Sequence, residues 1–231
     1  MLKAAQRLSS GLRINQASDD PAGLVISEQL RSQIASLNQE IDNISSNINK
    51  YRTVSSSVAG LREQLTELRT LAIGAANEGG NSPAAQEAFD KAAQQIVASF
   101  NNTVDNAEYN GSQTLDGSEG SPANVSELMD IDLSTAATAE ASIERIDTAV
   151  AELDAIQIDL GSTQANSFES QLRSLEVTRE NLTAAESQLR DADFVGEFTS
   201  FVGSQIRTQV SLAMLAHAMM SGSSIVRLFN T

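Results

Sequence analysis

The sequence contains no cysteine and no tryptophan, a single histidine and only three prolines. Without cysteine, disulfides, thiol catalysis and zinc–thiolate sites are excluded, and either redox compartment is permitted. The lone His217, between Ala216 and Ala218, cannot build a histidine-rich metal centre, and there is no HExxH pattern. Gly79-Gly80 leads into Asn-Ser-Pro, so the lysine of a phosphate-binding loop is missing. No GxSxG nucleophile turn occurs either. Carboxylate pairs at Asp19/Asp20, Asp130/Asp132 and Asp191/Asp193 fall at element boundaries, where carboxylates cap helices. The run Asp130-Ile131-Asp132 lacks the further oxygens of a calcium loop. No catalytic residue, cofactor or metal ligand is expected, and the chain reads as a non-enzyme.

Aromatic residues make up 4% of the chain, too few for a wide globular core. Thin helical bundles filled by Ala, Leu, Ile and Val suit this composition. No apolar run approaches the roughly 20 residues of a membrane span. Met1-Leu2-Lys3 runs straight into Ala4-Ala5-Gln6-Arg7 with no secretory leader. The formal net charge of −15 repels nucleic acid and anionic lipid, so neither nucleic-acid binding nor membrane insertion is expected.

What the chain does have is a heptad run. Leu30, Ile34, Leu37, Ile41, Ile44 and Ile48 alternate steps of four and three. After a one-residue phase slip, Val54, Val58, Leu61, Leu65 and Leu68 resume the rhythm. Such spacing lays an apolar seam along one side of a helix that must be buried against another. Asp19-Asp20-Pro21 supplies a cap and a first-turn proline, and Glu78-Gly79-Gly80-Asn81 a stop. A helix over about 21–77 is therefore expected, roughly 85 Å long at 1.5 Å per residue.

Ser82-Pro83 starts a shorter helix over about 83–106, with Phe89, Ile96, Phe100 and Val104 on its apolar face. Asn110-Gly111 signals a tight turn. Residues 107–135 form a small insert rich in Gly, Ser and Asp, where Leu128 to Leu133 make one strand or an extended cover. A third helix spans about 136–190, its seam running through Leu153, Leu160, Phe168, Leu172, Leu175 and Leu182. A last helix follows Asp191-Ala192-Asp193 and ends in an apolar tail. The expected fold is all-α: an elongated antiparallel helical bundle or coiled coil with a small irregular or β-like insert. Its core is assigned to Leu30, Ile34, Leu37, Ile41, Ile44, Ile48, Val58, Leu61, Leu65, Leu153, Leu160, Phe168, Leu172, Leu175 and Leu182.

Two stretches carry a resemblance. Arg7-Leu8-Ser9-Ser10-Gly11-Leu12-Arg13-Ile14-Asn15 is followed by Ser18-Asp19-Asp20-Pro21-Ala22-Gly23-Leu24. Near the other end stand Ala185-Glu186-Ser187-Gln188-Leu189-Arg190-Asp191-Ala192-Asp193-Phe194 and Gln209-Val210-Ser211-Leu212-Ala213-Met214-Leu215-Ala216. Together they resemble bacterial flagellin, and Tyr109-Asn110-Gly111 falls where flagellins carry Phe-Asn-Gly. The likeness reaches nearly the whole chain apart from about 112–135. It implies a structural subunit of the flagellar filament, a homo-oligomer that self-assembles through long helices after type III export and is secreted into the extracellular flagellum. The flagellin-related hook–filament junction protein is the alternative.

The resemblance also implies a division of the chain. Residues 1–20 would be the end of the N-terminal D0 helix and its connector, 21–190 a D1-like bundle, and 191–231 the C-terminal D0 helix. In that helix Phe194, Phe198, Phe201, Val202, Ile206, Val210, Leu215, Ile225, Leu228 and Phe229 would serve assembly or bind an export chaperone. Hook-associated and cap proteins are further implied partners. Measured against the family, most of the N-terminal D0 helix and the variable outer domains are missing from this sequence. The helix motif that a vertebrate Toll-like receptor reads in many flagellins aligns with Thr66–Ile73. Arg69 and Leu71 agree with it, but Glu67 reverses a positive charge, so poor receptor activation is expected.

Overall fold

The chain folds mainly into α-helices, as described by a computed structural model over residues 2–128 and 130–229, with side chains described as far as Met220. Along the chain come α1 (Leu2–Ser10), α2 (Pro21–Ala75), α3 (Pro83–Asp105), β1 (Glu108–Tyr109), β2 (Ser112–Gln113) and α4 (Ala136–Ser162). A π turn (Thr163–Phe168) then leads into α5 (Glu169–Arg190), and α6 (Phe194–Phe229) closes the chain. Residues 1–39 with 176–231 form one compact unit, and residues 40–175 a second.

Local chemistry sets the boundaries. The Ser82 hydroxyl accepts from Ala85 N at 3.2 Å and opens α3 with Pro83 in its first turn. Thr135 and Thr138 close a reciprocal capping box on α4. At the end of α2, Asn81 Nδ2 donates to Gly74 O at 2.8 Å, and Gln86 Nε2 to Ala75 O at 3.0 Å. These amides satisfy carbonyls that the helix leaves open. Asn110 and Gly111 both take positive φ, 53° and 77°, which gives β1 and β2 a two-residue turn with Tyr109 opposite Ser112.

The main core lies in the 40–175 unit. Val54, Val58, Leu61, Leu65, Leu68, Ala72 and Ala75 of α2 meet Ala93, Phe100 and Val104 of α3 and Ala139, Ile146, Leu153 and Leu160 of α4. The helices α2 and α4 run antiparallel. Arg62 pairs with Asp154 at 2.7 Å and Arg69 with Asp147 at 2.6 Å, seven residues along each helix in opposite directions.

After the β1–β2 hairpin the insert is an extended cover, and the described residues of 128–133 form no strand. Leu115, Ala123, Val125, Leu128, Ile131 and Leu133 are all buried in the core, a contribution the spacing of apolar residues does not announce. Polar side chains of α3 take the place of a β-ladder. Asn101 exchanges two hydrogen bonds with Leu128, at 3.1 and 3.0 Å. Gln94 Nε2 donates to Ile131 O at 2.7 Å, and Asp90 Oδ1 accepts from Leu133 N at 3.0 Å. From the other side, the buried Ser142 hydroxyl of α4 bonds both N and O of Asp132. These bonds satisfy backbone groups of Leu128, Ile131, Asp132 and Leu133 that no sheet partner meets.

Several residues expected in the core are only partly enclosed. Ile41, Ile48, Val58, Leu61, Leu65, Leu153 and Leu160 are buried as expected. In the 40–175 unit Ile44, Phe168, Leu172 and Leu175 are half-buried. In the other unit Leu30, Ile34, Leu37 and Leu182 are half-buried as well. The reason is the reach of α3: its buried residues meet only the Val54–Ala75 part of α2. A seam made by two helices leaves one flank of each side chain open, whereas three helices enclose it. The helix expected over 136–190 is interrupted by the π turn, where Glu169 N bonds Gln164 O five residues back.

Candidate assembly interface

The long motif near the start of the chain builds a clasp within the unit formed by residues 1–39 and 176–231. Gly11, at φ 72°, ends α1 by donating its N–H to Arg7 O at 2.8 Å. The chain then pairs with the junction between α5 and α6. Leu12 and Asp191 form an antiparallel bridge, Arg13 N donates to Arg190 O at 2.7 Å, and Ala192 N to Gly11 O at 2.9 Å. Arg13 Nη2 adds a bond to Leu189 O at 2.5 Å. Arg7 reaches Glu197 of α6 at 2.8 Å, a partly enclosed ion pair.

The rest of the motif holds the connector in shape. The Ser10 hydroxyl accepts from Leu12 N at 3.2 Å and from Asn15 Nδ2 at 2.8 Å. The Asp19 carboxylate accepts from the N–H groups of Asn15 and Gln16 and lies 3.5 Å from Lys3 Nζ. Burial alone would push its pKa up, but these donors hold it below the usual aspartate value. Asp20 caps α2 by accepting from Gly23 N at 2.9 Å, while Ile14 is buried at 2% exposure. At Gly23 a Cβ would come within 2.4 Å of Asp20 Oδ2 and 2.8 Å of Ile14 Cδ1, so the site admits only glycine without displacement. On the far side Arg190 bonds Glu28 at 3.0 Å and the buried Ser27 hydroxyl at 3.3 Å.

The helix that leaves this clasp is largely uncovered. Asp193 starts α6 by accepting from Val195 N and Gly196 N. Of the residues assigned to assembly, Phe194, Phe198, Ile206, Val210 and Leu215 are exposed, and Phe201 and Val202 half-buried. Val195, Leu212, Met214, Met219 and Met220 are exposed too. Ile225, Leu228 and Phe229 lie outside the described side chains. A helix apolar on most sides belongs in an interior. Covering side chains of this kind is worth on the order of 1.5–3 kcal/mol each. Among the described residues no helix is long and apolar enough to cross a membrane.

Charge is divided unevenly between the units. Residues 1–39 and 176–231 hold 8 Lys and Arg against 9 Asp and Glu, whereas residues 40–175 hold 7 against 21. Nearly all of the net negative charge therefore belongs to the second unit. In that unit Glu67 and Arg69 are exposed, Arg69 being engaged by Asp147, while Leu71 is half-buried against the core. The Arg69 hydrogen bond, with the attraction of its charge, holds the Asp147 carboxyl below the usual aspartate value against the opposing effect of burial.

Residues 1–120 match the family described as bacterial flagellin N-terminal helical region, and residues 143–229 the bacterial flagellin C-terminal helical region. A flagellin of Halalkalibacterium halodurans is 34% identical over 248 residues, covering 98% of this chain and 90% of that protein. Flagellin FlaB1 of Treponema pallidum is 32% identical, covering 97% and 90%. A flagellin of Bacillus subtilis is 28% identical, covering 98% and 91%. Among solved structures, a Bacillus cereus flagellin aligns over 61% of this chain and 88% of its own at 24% identity, with a TM-score of 0.45.

Proposed function

From a chain that belongs to the bacterial flagellin family, we infer a structural subunit of the flagellar filament, a self-associating protein exported to the flagellum. The observation that carries this reading is the uncovered apolar surface of α6, from Phe198 through Ile206 and Val210 to Leu215. Identical chains that meet through non-identical patches form rings where the rotation closes and open helical filaments where it does not, and the filament is the second case.

The clasp and α6 supply the contacts and the charge division supplies the arrangement. A unit close to neutral packs against its copies with little repulsion. The strongly acidic unit is better tolerated at the solvent side, where ions screen it within a Debye length. In this reading residues 1–20 and 191–231, which lie within the near-neutral unit, act as the inner D0 layer and 21–190 as the D1 wall. Before assembly, the same apolar α6 surface is held by an export chaperone on the way to a type III channel. Cap and hook-associated proteins meet the filament ends. Arg69 already has Asp147 as partner and Glu67 carries the wrong sign, which supports weak recognition by the innate receptor.

Seeded growth tests this reading. Added to filament seeds at moderate salt, the chain is expected to extend them without limit, whereas a junction protein stops after a short cap. Val210→Asp is expected to abolish extension while leaving the monomer's melting unchanged. A chain that stays monomeric beside seeds at high concentration overturns the proposal.

A further inference from the structure

Three of the chain's five methionines, Met214, Met219 and Met220, stand close together on α6. Methionine is most often a residue of cores, yet these are 71%, 69% and 68% exposed. At about 100° per residue they are spaced roughly 140°, 100° and 120° apart around the helix axis. No side of this stretch is without one. Whichever face a neighbouring copy covers, a methionine lies in it or at its edge. Leu212 and Leu215 are exposed alongside, and Arg207 is the only Asp, Glu, Lys or Arg from Phe198 to Met220.

The thioether is the one apolar group of this surface that mild chemistry turns polar. With hydrogen peroxide an S–O bond forms as the O–O bond breaks. Sulfur gives up two electrons, and the departing hydroxide takes the proton of the transferred oxygen and leaves as water. The product, methionine sulfoxide, disrupts methionine-rich interfaces. Its oxygen is a strong acceptor, and burying an acceptor without a donor is costly. The side chains of Val210, Leu212 and Leu215 offer no donor. The chain has no cysteine to take the oxidant first. Among the described residues of the main core there is no methionine, so the chemistry leaves that core untouched.

We propose that Met214, Met219 and Met220 form an oxidation site on α6 that switches self-association off. A subunit oxidised by peroxide before assembly carries sulfoxides all round the helix and is refused by the growing filament, whereas a subunit already packed shields its sulfurs. The site belongs to the chain alone; its effect on growth rests on the filament reading above.

Peroxide treatment of the monomer tests it. Treated protein, freed of oxidant with catalase, is mapped by peptide mass spectrometry and added to filament seeds. Sulfoxide is expected at all three positions, and the critical concentration for growth is expected to rise about tenfold or more. Methionine sulfoxide reductases A and B with dithiothreitol, one enzyme for each sulfoxide epimer, are expected to restore growth. The variant M214L/M219L/M220L keeps Met1 and Met129 and is expected to grow equally well before and after peroxide. In intact filaments the three sulfurs are expected to oxidise severalfold more slowly than in the monomer. Growth of the oxidised monomer at the untreated rate, no recovery with the reductases, or an equal loss in the leucine variant overturns the switch. Oxidation in filaments as fast as in the monomer overturns the shielding. Should the leucine variant not grow even untreated, recovery with the reductases decides alone. If the untreated chain extends no seeds, the filament reading fails and the switch with it, while the peptide map still decides the site: three sulfurs left unoxidised in the folded monomer overturn it.

Discussion

Replacing Gly23 by alanine pits two well-measured effects against each other. Alanine in a helix gains up to about 1 kcal/mol over glycine through backbone entropy. Against this stands the new Cβ, which would lie 2.4 Å from Asp20 Oδ2 and 2.8 Å from Ile14 Cδ1. The Asp20 carboxylate must swing away from the N–H it caps, and losing such a cap costs about 0.5–2 kcal/mol. Ile14 is buried and cannot retreat freely, and overpacking of this kind costs typically 1–3 kcal/mol. The sum is a net loss of about 0.5–4 kcal/mol for Gly23→Ala. Gly60 lies in the same helix with nothing within 4 Å of a Cβ. There only the entropic gain remains, and Gly60→Ala is expected to stabilise by about 0.5–1 kcal/mol. Differential scanning calorimetry of the two variants measures the contrast, and amide exchange over residues 21–25 tells whether the loss is at the clasp. If Gly23→Ala is as stable as Gly60→Ala, the steric account of the motif is wrong.

Other outcomes follow from the same contacts. Asn101→Ala removes both bonds to the backbone of Leu128 and is expected to cost about 1–3 kcal/mol, read from urea unfolding. Leu65→Ala, at a fully buried seam position, is expected to cost about 2–5 kcal/mol in the same assay, whereas Leu172→Ala on the half-open seam costs less. Asp19, Asp116, Asp132 and Asp147 all have carboxyls held below the usual aspartate value. Their contribution to stability is therefore present above that value and lost as pH falls through and below it, so acid unfolding is expected to shift on Asp147→Asn. Raising salt from low to moderate is expected to speed seeded assembly, because screening weakens repulsion among the acidic units; a flat response contradicts the charge argument.

Much of the helical layout was legible because the apolar period and the caps act locally. Asp20 with Pro21, Ser82 with Pro83, Asp193, and the Asn110-Gly111 turn all do in the structure what their chemistry suggests. The motif around Arg7 to Leu24 could be matched to a family, but its purpose could not be read. Arg7 and Glu197 are 190 residues apart, and only folding shows that they pair. The stretch from Leu128 to Leu133 is legible as a strand or an extended cover, but a run this short in an acidic insert does not say which, nor that Leu128, Ile131 and Leu133 are buried in the core. What keeps them inside is a row of polar α3 side chains, which pattern reading assigns to solvent.

The sequence by itself determined that this protein is helical, cysteine-free and acidic, and that it carries apolar surface along its long helices, since period and composition depend only on neighbours along the chain. Tertiary structure decided which stretch of seam is enclosed by three helices and which by two. It also decided that the helix expected over 136–190 is interrupted by the π turn Thr163–Phe168, and how residues 7–13 are clasped to the junction of α5 and α6. Those are matters of which distant segments meet, and enclosure depends on how many helices arrive at one place, not on the spacing within any one of them.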